Sequence, residues 1–256
     1  MPIALSLAAA ELFLVRLMLR NMRRDFCLAT TAFAVASAVA QDHLTPETDP
    51  LTKDEYHARI REVFADVLRR DFVVQVLLVP SFQPEEIAGI RRSDKGFEAF
   101  ASKPSSHIWT TFNIQKIESG KQRWMDEHGD PIPPEKNPSL PDLKKHAPSD
   151  YRQIHVHTDT RPISDALTER IRDIWRDMLV NARQPTGRNL GVDGEDYHFS
   201  MPLRGRGTIS ATVWSPSGGK TLALASLGQA LADYARGSAD EAALIKSLNP
   251  IERKKA

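Results

Sequence analysis

In the stretch HVHTD, His155, His157 and Asp159 occupy alternate positions. Alternate residues of an extended chain point to the same side, so a strand here would present two imidazoles and a carboxylate together. Two histidines at that spacing can bind one metal ion. His198 shares the polar side of its own strand by the same parity, which makes it the candidate third ligand. The competing account is plainer: histidines on the wet face of an antiparallel sheet solvate it and do no chemistry.

These five residues resemble the His-x-His-x-Asp-His signature of metallo-β-lactamase-like hydrolases, and a helical pattern follows them here as well. The resemblance implies zinc held by the histidines. It stops at position 160, which is Thr where the signature has His.

A second stretch, W214-S-P-S-G-G-K-T221, lies between a predicted strand and a predicted helix, as a phosphate-binding loop does. Such a loop needs Gly five positions before Gly219, and position 214 is Trp, so the pattern fails. Ser217 and Lys220 also satisfy Ser-x-x-Lys, the acylation motif of penicillin-recognising enzymes, but Ser-Asp-Asn and Lys-Thr-Gly are both absent from the chain. What remains is Ser217, Gly218, Gly219 and Lys220 at a helix N-terminus, a place that attracts anions weakly. The alternative is a turn with Ser217 as N-cap.

Asp193, Glu195 and Asp196 crowd together without the alternating oxygens and closing glutamate of a calcium loop, and Asp193-Gly194 reads better as a tight turn. Arg204 and Arg206 are expected in a solvated turn. Trp109, Trp124, Trp175 and Trp214 are core or rim aromatics by default. The chain has no Gly-x-Ser-x-Gly elbow and no dinucleotide fingerprint. No cofactor is expected.

The elements that would position these residues follow from periodicity. After a Pro-containing acidic linker at 41–52, Thr52 and Glu55 have capping-box spacing, and Tyr56, Ile60, Val63, Phe64 and Val67 recur at helical intervals as far as Arg70. Residues 71–82 form an aliphatic run suited to a buried strand. Pro84 is expected to open a short helix to about Arg92, and GFEAFAS and SHIWTTFNI to be two strands broken at Pro104. The proline-rich segment 126–150 reads as a long exposed loop, and YRQIHVHTD as a half-buried strand.

Pro162 and Ser164 introduce a strongly amphipathic helix through Leu167, Ile171, Ile174, Trp175, Met178 and Ala182, with Glu169–Arg172 and Asp173–Arg176 paired on its outer side. EDYHFSMPL and TISATVW are strands joined by the Arg204–Gly207 turn. A helix through Leu224, Leu227, Leu231 and Tyr234 ends at Gly237, a last short helix starts at Ser238 and Glu241, and 249–256 is expected to be a disordered tail. The sum is an α+β domain over 53–248, a largely antiparallel sheet with its helices on one face.

The N-terminal region bears on location. From Met22, Arg23 and Arg24, an apolar stretch from Phe26 to Val35 and the small triplet Ala38-Val39-Ala40 have the three parts of a secretory signal peptide, cleaved after Ala40. Residues 1–21 are then an upstream extension, or the whole of 1–40 is one long leader or anchor. The apolar core is shorter than the roughly 20 residues a spanning helix needs, so no membrane span is expected after processing. Four of the 34 basic and two of the 33 acidic residues fall within 1–40, leaving a nearly neutral body of 30 against 31, which argues against a nucleic-acid partner. Cys27 is the one cysteine, so the processed chain would have no thiol for disulfides, nucleophilic attack or metal binding.

GVDGEDYHFS, TVWSPSGGKT and the helix ending in YARG, with I174-W-R-D-M-L179 before them, resemble a pattern of small exported proteins of Gram-negative bacteria that have no assigned function. The likeness spans 165–237 and departs at Val192, where Leu is expected. It implies export and a shared fold, and supplies no activity or site residues. The sequence therefore predicts a periplasmic or secreted binding protein, taking a small molecule or a protein of the cell envelope on a face carrying His155, His157, His198 and Trp214. Its rivals are a zinc-dependent or serine hydrolase of the envelope and an interaction partner such as an immunity protein or assembly factor.

Overall fold

The computed structural model describes residues 43–68, 71–122, 124–125, 131–184 and 194–252. Residues 1–40, read from the sequence as a leader, Arg70, Asp193 and residues 253–256, read as a tail, lie outside them.

The sheet is built from sequences whose alternate residues are apolar. β1 (Thr45–Glu47), β2 (Phe72–Pro80), β3 (Glu86–Ser93), β4 (Gly96–Pro104), β7 (Val156–Ile163), β8 (Glu195–Leu203) and β9 (Gly207–Trp214) form one seven-stranded sheet in the order β1-β9-β8-β2-β3-β4-β7. Every pairing in it is antiparallel. β5 (Trp124–Met125) and β6 (Pro131–Ile132) make a separate small ladder. The helices are α1 (Glu55–Val63), α2 (Ala65–Leu68), α3 (Ile108–Glu118), α4 (Leu140–His146), α5 (Asp165–Val180), α6 (Gly219–Ala235) and α7 (Glu241–Glu252). The α+β class and the antiparallel sheet are thus as the periodicity predicts.

Parity sorts the strand residues between two cores. Val74, Val76, Ala88, Ile90, Ala99, Ala101, Phe199, Met201, Ala211 and Val213 face α5, α6 and α7. At the centre Trp175 of α5 is fully buried and meets Phe199 edge-on with ring centroids 5.4 Å apart. α6 crosses β2 closely enough that a Cβ on Gly228 would lie 3.0 Å from Val76 Cγ1. Glu169–Arg172 and Asp173–Arg176 pair along the outside of α5, as expected.

The helices are not confined to one face. Leu77, Ile87 and Phe100 point the other way and are covered by Tyr56, Ile60, Phe64 and Val67 from α1, its C-terminal turn and α2, and by Ile108 and Phe112 from α3. The aliphatic run of β2 is apolar on both sides because both sides are covered. α4 closes over the outer side of α3, where Leu140 and Ala147 meet Ile114 and Ile117.

Several elements differ from the sequence reading. The linker at 41–52 contains β1, which pairs with β9, and a 3-10 turn at Pro50–Thr52 that buries Leu51. Asp54, not Thr52, caps α1, accepting the His57 N–H. The segment after Pro84 is the strand β3, with Ala88 and Ile90 in one core and Ile87 in the other. SHIWTTFNI is helical, giving α3. Within 126–150, residues 131–150 hold β6, a 3-10 turn and α4 rather than an open loop. YRQ at the head of the predicted strand is a 3-10 turn. α7 runs on to Glu252 with Ile251 buried, so 249–252 is not part of a tail.

Candidate functional site

The predicted histidine face does not assemble. β7 is the edge strand, and β4, β3 and β2 stand between it and β8, so its histidines lie about 19 Å from His198 at the usual strand spacing. Parity also divides them. His157 pairs with Lys103 and shares its side with Asp159 and Ala101, on the α5–α7 face, whereas His198 shares the opposite face with Leu77. His157 is 80 % exposed and binds only Asp159, at 3.0 Å. His155 precedes β7 and is exposed. His155, His157, Asp159 and His198 therefore cannot share one ion. Among the described residues no three His, Cys, Asp or Glu side chains are grouped to hold a metal.

Trp214 does lie on the His198 face, one strand across, beside Asp196. Its ring packs on Gly194, where a Cβ would stand 2.6 Å from Cζ2. That is a rim aromatic closing on a glycine. The anion loop is likewise rearranged: Gly218, not Ser217, is the N-cap of α6, it offers no side-chain bond, and Gly219 takes a left-handed φ of 67°. Lys220 has an interaction partner.

Several large buried polar groups lie on the α1–α3 side. Glu85 is fully buried, yet its carboxylate accepts the Ile108 N–H at 2.8 Å, the Trp109 N–H at 3.0 Å and the Tyr56 hydroxyl. It holds the N-terminus of α3, a structural duty. Burial and the Glu85 charge push the Tyr56 hydroxyl far above the ordinary phenol range.

Arg91 is different because it borders open space. It sits on β3, only 5 % exposed, with Nε donating to Glu98 Oε1 at 2.7 Å and the guanidinium over the Phe100 ring. Held by those two neighbours, its planar fork forms part of the wall of a cavity of about 430 Å³ between α1–α2 and the β3–β7 end of the sheet. Thr158, Thr160 and His155 line the β7 side of it, and Val63, Asp66 and Val67 the helical side. Thr158 is itself fixed by a 2.8 Å hydrogen bond to Ser102. Of the residues singled out from the sequence, His155 alone reaches this cavity. The helix expected after Pro84 hides Arg91, because only the alternation of a strand turns its side chain inward.

A second unpredicted cluster joins His57 of α1 to His198. His57 Nδ1 is 2.8 Å from Asp54, His198 Nδ1 is 3.0 Å from Glu47 Oε1, and the two rings meet edge-on with centroids 5.5 Å apart.

No family model matches the chain, and no curated protein or solved structure matches it. Among the described residues no helix is long and apolar enough to cross a membrane.

Proposed function

We propose that the protein is an exported, non-catalytic binding protein of the cell envelope, and that its ligand is a small polar molecule held in the Arg91 cavity. The observation that carries this reading is the buried guanidinium in the cavity wall. Ordering a long side chain costs entropy, and Glu98 and Phe100 have already met that cost before any ligand arrives. A fork fixed in this way matches planar acceptors such as a carboxylate or an amide carbonyl. The valines and Ile154 beside it suit a short apolar body, and the threonine hydroxyls add orientation. Export rests on the leader-like segment 22–40 and on the resemblance of 165–237 to exported proteins.

The test is native mass spectrometry on the chain isolated undenatured from its own host, followed by NMR titration with acetate, succinate and N-acetyl amino acids. The reading expects a co-purifying small molecule or saturable shifts at Arg91, Thr158 and Thr160, both lost in Arg91→Gln. Shifts that are absent, or the same in the variant, would end it. The export arm expects a mature N-terminus at Gln41 in the extracytoplasmic fraction.

A further inference from the structure

We infer that His57 and His198 form a site for one transition-metal ion of the kind that imidazole nitrogen binds, with zinc(II) as the ion to test. The site is independent of the Arg91 cavity. Both side chains are more than nine-tenths buried, at 5 % and 1 % exposure. Each uses Nδ1 on a carboxylate, His57 on Asp54 at 2.8 Å and His198 on Glu47 at 3.0 and 3.1 Å. A carboxylate at Nδ1 holds the ring proton there and leaves the lone pair on Nε2. Both Nε2 atoms are buried and have no hydrogen-bond partner among the described residues.

A buried acceptor nitrogen without a protein partner forgoes the hydrogen bond it would make in water. One electron-poor ion bound between the two rings would satisfy both nitrogens. A carboxylate on the far nitrogen of the ring is the usual outer partner of a metal-binding histidine, fixing its tautomer and orientation. Distance agrees. Imidazole nitrogens bind zinc at about 2.0–2.1 Å, so two rings sharing one ion at trigonal to tetrahedral angles have centroids roughly 5–6 Å apart. The observed separation is 5.5 Å, with the ring planes at 80°. Thr212 Oγ1, on the strand position directly opposite His198, is also buried without a partner among the described residues and adds an oxygen. Since no third His, Cys, Asp or Glu among the described residues completes the set, the remaining positions fall to that hydroxyl and water. Glu47 and Asp54 behind the rings offset the ion's charge.

The test uses the full chain, stripped with chelator and titrated with zinc(II) alone against a competing chromophoric chelator. One equivalent is expected to bind, with ¹⁵N resonances of Nε2 in His57 and His198 shifting on loading. His57→Gln should abolish binding, and Glu47→Gln, which keeps both nitrogens, should weaken it by 10- to 100-fold. The double variant His155→Gln/His157→Gln should bind as the parent does. Because the resonance shifts are read on the unaltered chain, the result does not depend on any variant folding. No binding, or zinc that shifts His155 and His157 instead, overturns the proposal.

Discussion

The carboxylate of Glu85 receives the backbone N–H groups of both Ile108 and Trp109, so a loop between two strands caps a helix more than twenty residues downstream. Removing it in Glu85→Ala strands two amide donors and the Tyr56 hydroxyl. We expect a loss of about 3 kcal/mol in chemical denaturation. Glu85→Gln keeps an acceptor and should cost clearly less. Equal losses would show that the charge, not the acceptor, is what α3 requires.

Gly89 marks a close backbone approach in the sheet. A Cβ there would sit 2.2 Å from the Val74 carbonyl oxygen, beside the register shift between Phe72 and Val74. Backbone cannot swing aside as a side-chain tip can. Gly89→Ala is therefore expected to lower stability by about 3 kcal/mol or to prevent folding, measured by thermal melting. Gly218, extended at φ −179° with nothing within 4 Å, is the spatial control.

Burial holds the His107 imidazole below its ordinary value of 6.5, against the opposing pull of the Glu85 charge. Its folded pKa is depressed, so below 6.5 the unfolded chain takes up a proton that the folded one refuses. Stability is full above that pH, declines as the pH drops through 6.5, and levels once folded His107 is protonated too. His107→Asn, which retains a good N-cap residue for α3, should remove this part of the slope in denaturation curves taken between pH 7 and pH 5. An unchanged slope would mean that other groups carry it.

Leu44, immediately before β1, is fully buried in the larger core. Leu44→Ala should cost about 2–5 kcal/mol by equilibrium unfolding. A surface-like cost under about 0.5 kcal/mol would contradict the docking of β1.

How far the sequence reveals this architecture depends on whether local residues decide each element. β8, β9, α5 and α6 are legible because alternation or helical spacing matches their cores over long stretches: Phe199 and Met201 on one side, Leu224, Leu227 and Leu231 on another. α3 is not. Its Ile108, Thr110, Thr111 and Ile114 favour a strand by type, and the carboxylate that caps its helical start comes from Glu85, invisible to any local window. β1 hides for the same reason, since three residues become a strand only when β9 lies beside them. At the site, alternation in HVHTD is real, but parity fixes only the side within one strand. Strand order, which sets His155 and His157 far from His198, is a long-range property. The Asp54–His57 relation was present as an i,i+3 spacing at a helix start, and would have pointed to a histidine turned back on its own cap.

Among the described strands, β1 is hydrogen-bonded into the sheet ladder through β9 alone. The first of the described strands thus has no ladder neighbour until residue 212 has followed it, and Glu47 has no His198 to reach until β8 has been made. Throughout that interval one edge of the sheet lacks its last strand, so completing it is a long-range event that comes late in the folding of this chain.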